Sequence, residues 1–163
     1  MSNLTVYDWR SDEWLLVDWY AQLIKSGDMA VTFTPDMRYM GNFLAWFRAP
    51  RTLAISNDNS GVFFAFWLES FLSGAFCGLW VREDKRQSPT AMKLIIEAYN
   101  SAFQVYTVLM GICKQEHLRD VHLKLGYTKK TTIPALWNGD AVDFYAITKD
   151  DWEKRHERRT KLQ

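Results

Sequence analysis

Cysteine is almost absent from this chain of 163 residues: there are two, Cys77 and Cys113. Two isolated thiols build neither a metal-ligand set nor a disulfide framework, so buried, reduced side chains are expected. Prolines number four, and three of them, Pro35, Pro50 and Pro89, mark where an element starts or stops. Neither sign of charge dominates. The formal net charge is +1, so bulk charge recruits neither nucleic acid nor an acidic partner. No apolar run is long enough to span a bilayer. The N-terminus is polar and reaches charge by Asp8, unlike a signal peptide. Internal repeats, low-complexity segments and linkers are also missing.

What is present is apolar and aromatic: 48% of residues are hydrophobic, with eight Trp and ten Phe. That composition is globular, and the length suits one domain, 1–163, with a real core. Residues 149–163 read as a charged helix or tail.

The chain is organised around residues 75–127. An apolar run, Ala75 to Val81, meets a charged, turn-rich loop, Arg82 to Gln87. Ser88-Pro89 then opens a helical pattern, serine as N-cap and proline at the first helical position. A second apolar run follows from Val105 to Cys113, and a second helix ends at Gly126. The two strands are apolar enough to be buried on both faces of a parallel sheet. The loop from Arg82 to Ala91 lies where a strand ends and a helix begins. Anions settle at such places, because unpaired N–H groups and the positive end of the helix dipole point outward together.

The flanks follow the same logic. Asn3 to Trp9 reads as a short strand. Ser11, with Asp12 and Glu13 behind it, reads as the N-cap of a helix carrying Leu16, Trp19, Tyr20, Leu23 and Ile24, closed by Gly27. Thr34-Pro35-Asp36 starts another helix, with a stripe of Met37, Met40, Phe43, Leu44 and Phe47, and Pro50 stops it. Thr52 to Asn57 and Val62 to Glu69 read as antiparallel strands around an Asp58-Asn59-Ser60-Gly61 turn. Thr128 to Trp137 and Asp140 to Thr148 pair across Asn138-Gly139, with Pro134 marking an edge or a bulge. Asp150 to Arg159 is charged. The predicted class is a mixed α/β domain in three layers, α/β/α.

This order resembles the GNAT superfamily of acyl-CoA-dependent N-acetyltransferases over nearly the whole chain. Three stretches carry the resemblance. Val81 to Ile95, VREDKRQSPTAMKLI, stands where the family has a pyrophosphate loop of the form Arg/Gln-x-x-Gly-x-Gly/Ala. Lys114 to Lys129, KQEHLRDVHLKLGYTK, looks like the family's helix ending in Leu-Gly-Phe/Tyr. Trp137 to Trp152, WNGDAVDFYAITKDDW, is similar to the closing hairpin with its Thr-x-x-x-Trp-like ending. The resemblance implies that the fourth and fifth strands splay apart and that acetyl-CoA lies in the gap. Its pantetheine would pair with the fourth strand at Leu79 and Val81, where Gly78 marks a bulge that opens the strand.

In the loop, Arg86 fits the first position of the motif and Ala91 the last, while Pro89 replaces the central Gly. Proline removes one N–H and fixes φ. The N–H groups of Gln87, Ser88, Thr90 and Ala91 remain as phosphate donors, with the hydroxyls of Ser88 and Thr90. The same residues also read as a plain helix start, whose inner face is Met92, Ile95, Ile96, Tyr99 and Phe103.

The family's proton-donating Tyr lies four residues before the Gly of Leu-Gly-Phe/Tyr. That position is His122 here, and the resemblance makes it the candidate acid. Gln115 stands in for a frequent Asn earlier on the helix. Glu69, at the end of a strand, is the candidate base for the amine. Each has a plainer reading, His122 as a surface or capping histidine and Glu69 as a solvated strand end. Tyr127, Tyr145 and most Trp residues read as core, and a Trp found exposed would point to a protein-binding face.

Two functions follow. One is an acetyl-CoA-dependent N-acetyltransferase acting on a small-molecule or protein amine. The other is a non-catalytic binding or assembly protein on the same scaffold, which rests on Pro89, His122 and the many aromatics. Its partner would be another protein or a second copy of the chain. Compact GNAT-like proteins of this degenerate kind also occur in phage genomes. Neither function calls for a metal, a membrane or nucleic acid, and the expected compartment is the cytoplasm.

Overall fold

A computed structural model describes residues 4–57, 61–113, 116–137 and 139–160. Its strands are β1 (Leu4–Val6), β2 (Thr52–Asn57), β3 (Phe63–Glu69), β4 (Gly74–Val81), β5 (Val108–Cys113), β6 (Thr128–Trp137) and β7 (Asp140–Thr148). Its helices are α1 (Trp9–Ser26), α2 (Met29–Thr32), α3 (Met40–Phe47), α4 (Pro89–Val105), α5 (Glu116–Leu125) and α6 (Lys149–Thr160). The strands form one mixed seven-stranded sheet in the order β1-β2-β3-β4-β5-β7-β6.

Several boundaries differ from the sequence reading, each for a local reason. Asp8, not Ser11, caps α1: its backbone is extended and its carboxylate accepts the Arg10 N–H at 3.0 Å. The helix expected to begin at Pro35 is broken. A 3-10 turn covers Pro35–Arg38, Tyr39 turns extended, and α3 starts only at Met40. The short helix α2 has no clear start signal in the sequence. The apolar run from Val105 to Cys113 mixes two elements, since Val105 ends α4, exposed, and the strand begins at Val108. Of the two tight turns foreseen, Asp58, Asn59, Ser60 and Asn138 lie outside the described residues. Gly61 and Gly139 both carry positive φ, as turn glycines should.

The chain divides into two compact units, 1–69 with 77–102, and 70–76 with 103–163. The division passes through β4. Its first three residues pair in parallel with β5, Gly74 with Val108, Ala75 with Leu109 and Phe76 with Met110. Its last five residues belong to the first unit.

The first unit holds an aromatic core. β3 alternates, so Phe64 and Phe66 join Trp19, Phe43, Phe47 and Trp80 in one buried cluster with α1 and α3. Trp67 turns the other way and meets Tyr99 of α4. β2 and β3 pair antiparallel in unbroken register from Thr52–Leu68 to Ser56–Phe64.

In the second unit, β5 pairs with β7 along its whole length, antiparallel, and β7 with β6. Pairing between β6 and β7 shifts between Ile133 and Trp137, which brackets Pro134 and an Ala135 at φ 54°. That is the bulge the proline announces. Gly126 closes α5 at φ 101°, with its N–H on the Leu123 carbonyl. Leu125 and Tyr127 on either side are buried. The Leu-Gly-Tyr triplet is therefore a left-handed helix end between two core anchors. Thr148 and Asp151 exchange hydrogen bonds across the start of α6, and Trp152 packs buried on Phe103.

Candidate functional site

The loop between β4 and α4 is exposed from Glu83 to Gln87, and again at Pro89 and Thr90. Its donors divide in two. The Ser88 N–H bonds the Lys85 carbonyl at 3.0 Å, and the Ala91 N–H bonds Ser88 Oγ at 3.1 Å. Ser88 is thus the N-cap of α4, and its hydroxyl is committed there. The N–H groups of Gln87 and Thr90 have no partner within the chain among the described residues. Pro89 between them has no N–H to offer. An anion at the start of α4 would meet two uncommitted donors on exposed residues and the helix dipole.

The loop's cations are all paired. Arg82 and Lys85 share Asp84, at 2.6 Å and 3.6 Å. Chiefly the Arg82 hydrogen bond holds the Asp84 carboxyl below its ordinary range. Arg86 donates from Nη2 to Asp28 Oδ2 at 2.5 Å, and from Nε to the Val81 carbonyl at 3.0 Å. Asp28 sits between α1 and α2, 58 positions before its partner. Sequence reasoning missed it, because nothing local distinguishes this aspartate from the other acids of the chain.

Leu79 and Val81 are both partly exposed. The buried Trp80 between them lies edge-on to Trp19 at 5.2 Å and donates from Nε1 to Asp28 Oδ2 at 2.7 Å. Gly78 lies under the ring of Phe66. A Cβ there would stand 1.8 Å from the Phe66 ring, so its role is to make room for that ring. Glu69, at the end of β3, faces Arg51 with 3.8 Å between Oε2 and Nε, and its side chain is 23% exposed. Gln115 lies outside the described residues.

In the second unit His122 is half-buried. Its Nδ1 is 3.1 Å from Cys113 Sγ, and its ring packs against Tyr127 and Tyr145. The Nε2 edge lies over Gly111, where a Cβ would come within 2.2 Å of it. Burial, with the Asp143 charge adding, pushes the Cys113 thiol up to about 12. Because the folded value lies above the unfolded one, the stability this adds is complete below the unfolded thiol pKa and is lost as pH rises toward 12. A thiol kept neutral is a poor nucleophile. Disulfide-exchange labelling in mildly alkaline buffer should therefore modify the half-buried Cys77 first, and Cys113 only on unfolding. Equal labelling rates in the native protein would contradict this.

Solved acetyltransferase structures match nearly the whole chain. An aminoglycoside 6'-N-acetyltransferase complexed with coenzyme A aligns with a TM-score of 0.68 at 13% identity, covering 89% of this chain and 96% of that one. RimL, a ribosomal L7/L12 alpha-N-protein acetyltransferase in complex with coenzyme A, gives 0.70 at 12% identity, covering 93% and 97%. Mutant forms of the spermidine/spermine N-acetyltransferase SpeG from Vibrio cholerae give 0.66 at 14% identity, covering 96% and 99%. No protein-family model matches the sequence, and no curated protein does. The chain has the GNAT fold, with a mixed sheet and parallel β4 and β5. A fold of this kind hosts acceptors as unlike as an aminoglycoside, a polyamine and a ribosomal protein. The acceptor has to be argued from a site.

Proposed function

We propose that this protein is an acetyl-CoA-dependent N-acetyltransferase that acts on an amine, either a small molecule or a protein. The observation that carries the reading is the likeness, over almost the full chain, to acetyltransferases solved with coenzyme A. The exposed loop supports it through the free N–H groups of Gln87 and Thr90. In this reading those two groups and the Arg86 guanidinium receive the pyrophosphate. The backbone of Leu79 and Val81 pairs with pantetheine, and Glu69 takes the proton of the attacking amine. Such a transfer asks the protein mainly for placement of the thioester and the amine.

Titration calorimetry with acetyl-CoA tests the reading. Wild-type protein should bind, and Arg86→Ala should bind roughly three- to tenfold more weakly, because a charge-assisted phosphate contact is lost. No heat at millimolar ligand would remove the reading.

A non-catalytic role on the same scaffold is favoured by one observation. His122 turns Nδ1 to Cys113 and its Nε2 edge to Gly111, an arrangement that serves packing. Release of coenzyme A thiol in the presence of a polyamine, an aminoglycoside or a peptide amine separates the two readings.

A further inference from the structure

We propose that Asp28 is a built-in competitor for Arg86, an anion that the pyrophosphate of a bound acyl-CoA must displace, and that it sets how tightly the loop takes its ligand. This rests on the acyl-CoA reading and adds a residue to it.

The geometry shows which partner would move. Asp28 is anchored. Its carboxylate accepts from the indole of Trp80, which is 4% exposed, and its carbonyl accepts the N–H groups of Val31 and Thr32 at 3.1 and 2.9 Å. Its side chain is 20% exposed, against 42% for Arg86. Arg86 sits in the exposed loop, and among the described residues its guanidinium contacts Asp28 and the Val81 carbonyl. When the two separate, the arginine swings and the aspartate stays.

The swing does two things at once. It delivers a planar double donor to the start of α4, where the N–H groups of Gln87 and Thr90 have no partner among the described residues. A phosphate accepts such a donor in bidentate fashion. It also uncovers the Val81 carbonyl at the end of β4, which Arg86 Nε otherwise covers. That carbonyl is then an acceptor for an amide N–H such as pantetheine carries. One side chain therefore closes both the pyrophosphate position and the end of the pantetheine strand. Arg82 and Lys85 are held by Asp84, so Arg86 is the loop cation whose release opens both.

The exchange is inexpensive. An ion pair this open to solvent is weak, so its loss lowers ligand affinity by a modest factor and does not abolish binding.

The test is titration calorimetry with coenzyme A on four proteins: wild type, Asp28→Asn, Arg86→Ala and the double variant. Asparagine keeps an oxygen for the Trp80 N–H and removes the competing charge. Asp28→Asn should bind coenzyme A roughly three- to tenfold more tightly than wild type. That gain should vanish in the Arg86→Ala background. Asp28→Asn binding equally or more weakly would overturn the proposal, because the aspartate would then be orienting the arginine and not competing for it. No heat from any of the four would remove the acyl-CoA reading itself, a distinguishable result. A measurement on unaltered protein guards against misfolded variants. On adding coenzyme A, the Arg86 Nε–H signal in a nitrogen-edited NMR spectrum should shift as the guanidinium leaves the Val81 carbonyl and Asp28. An unmoved Arg86 signal in the saturated complex would overturn the proposal as well.

Discussion

Replacing Gly78 with alanine is expected to destabilise the protein by about 3 kcal/mol, the upper range for forcing extra volume into a packed core. The added methyl would sit 1.8 Å from Phe66 Cζ and 2.1 Å from Cε1, well inside contact distance. Something must shift, and the ring cannot. Phe66 is 5% exposed and stacks on Phe33 at 4.8 Å, with Trp46 and Phe47 closing on its edges. Guanidinium unfolding would read the effect as a lower midpoint. The clash predicts its own partial cure: in a Phe66→Ala background the glycine substitution should cost much less. A double-mutant cycle should give a coupling of at least about 1 kcal/mol between the two sites. An unchanged midpoint for Gly78→Ala would mean that the ring does not lie on this strand.

The same glycine shows where the sequence was legible and where it was not. A lone glycine in an apolar strand announces that something approaches the backbone closely, but not what. A bulge opening the strand and a ring lying on it leave the same mark. Features whose cause lies within a few residues were readable. Ser88-Pro89 names the start of α4, and the ranges of β2, β6 and β7 follow from their flanking turn residues and their apolar pattern. The Leu-Gly-Tyr triplet is readable for the same reason, since its geometry is all local. Boundaries inside apolar runs were not, because Val105 suits a helix end as well as a strand start. The break at Tyr39 was hidden too, with Met37 and Met40 keeping helical spacing across it. The candidate site divides along the same line. Exposure of the loop, and the lost donor at Pro89, follow from the residues there. The pairing of Arg86 with Asp28 joins positions 58 apart, and a single sequence does not record such a contact.

Gly111→Ala carries the second large effect and bears on catalysis. It should cost about 2 kcal/mol, because the new Cβ would lie 2.2 Å from His122 Nε2 and 2.7 Å from its Cδ2. His122 has little room to retreat, with Tyr127 at 4.8 Å and Tyr145 at 5.8 Å from its ring centre and Cys113 Sγ 3.1 Å from Nδ1. In the double variant Gly111→Ala, His122→Ala, the methyl takes space the imidazole has vacated. Most of the cost of adding the methyl should therefore vanish against the His122→Ala background. The single variant His122→Ala tests what the histidine is for. A general acid lost from a transferase costs on the order of 100-fold in kcat. A ring packed over a glycine beside a neutral thiol costs stability instead. His122→Ala is therefore expected to lower the unfolding midpoint and to leave kcat for acetyl transfer within about threefold of wild type, since little proton-transfer catalysis is removed. A hundredfold fall in kcat with an unchanged midpoint would reverse the assignment and restore His122 as the group that protonates the departing thiolate.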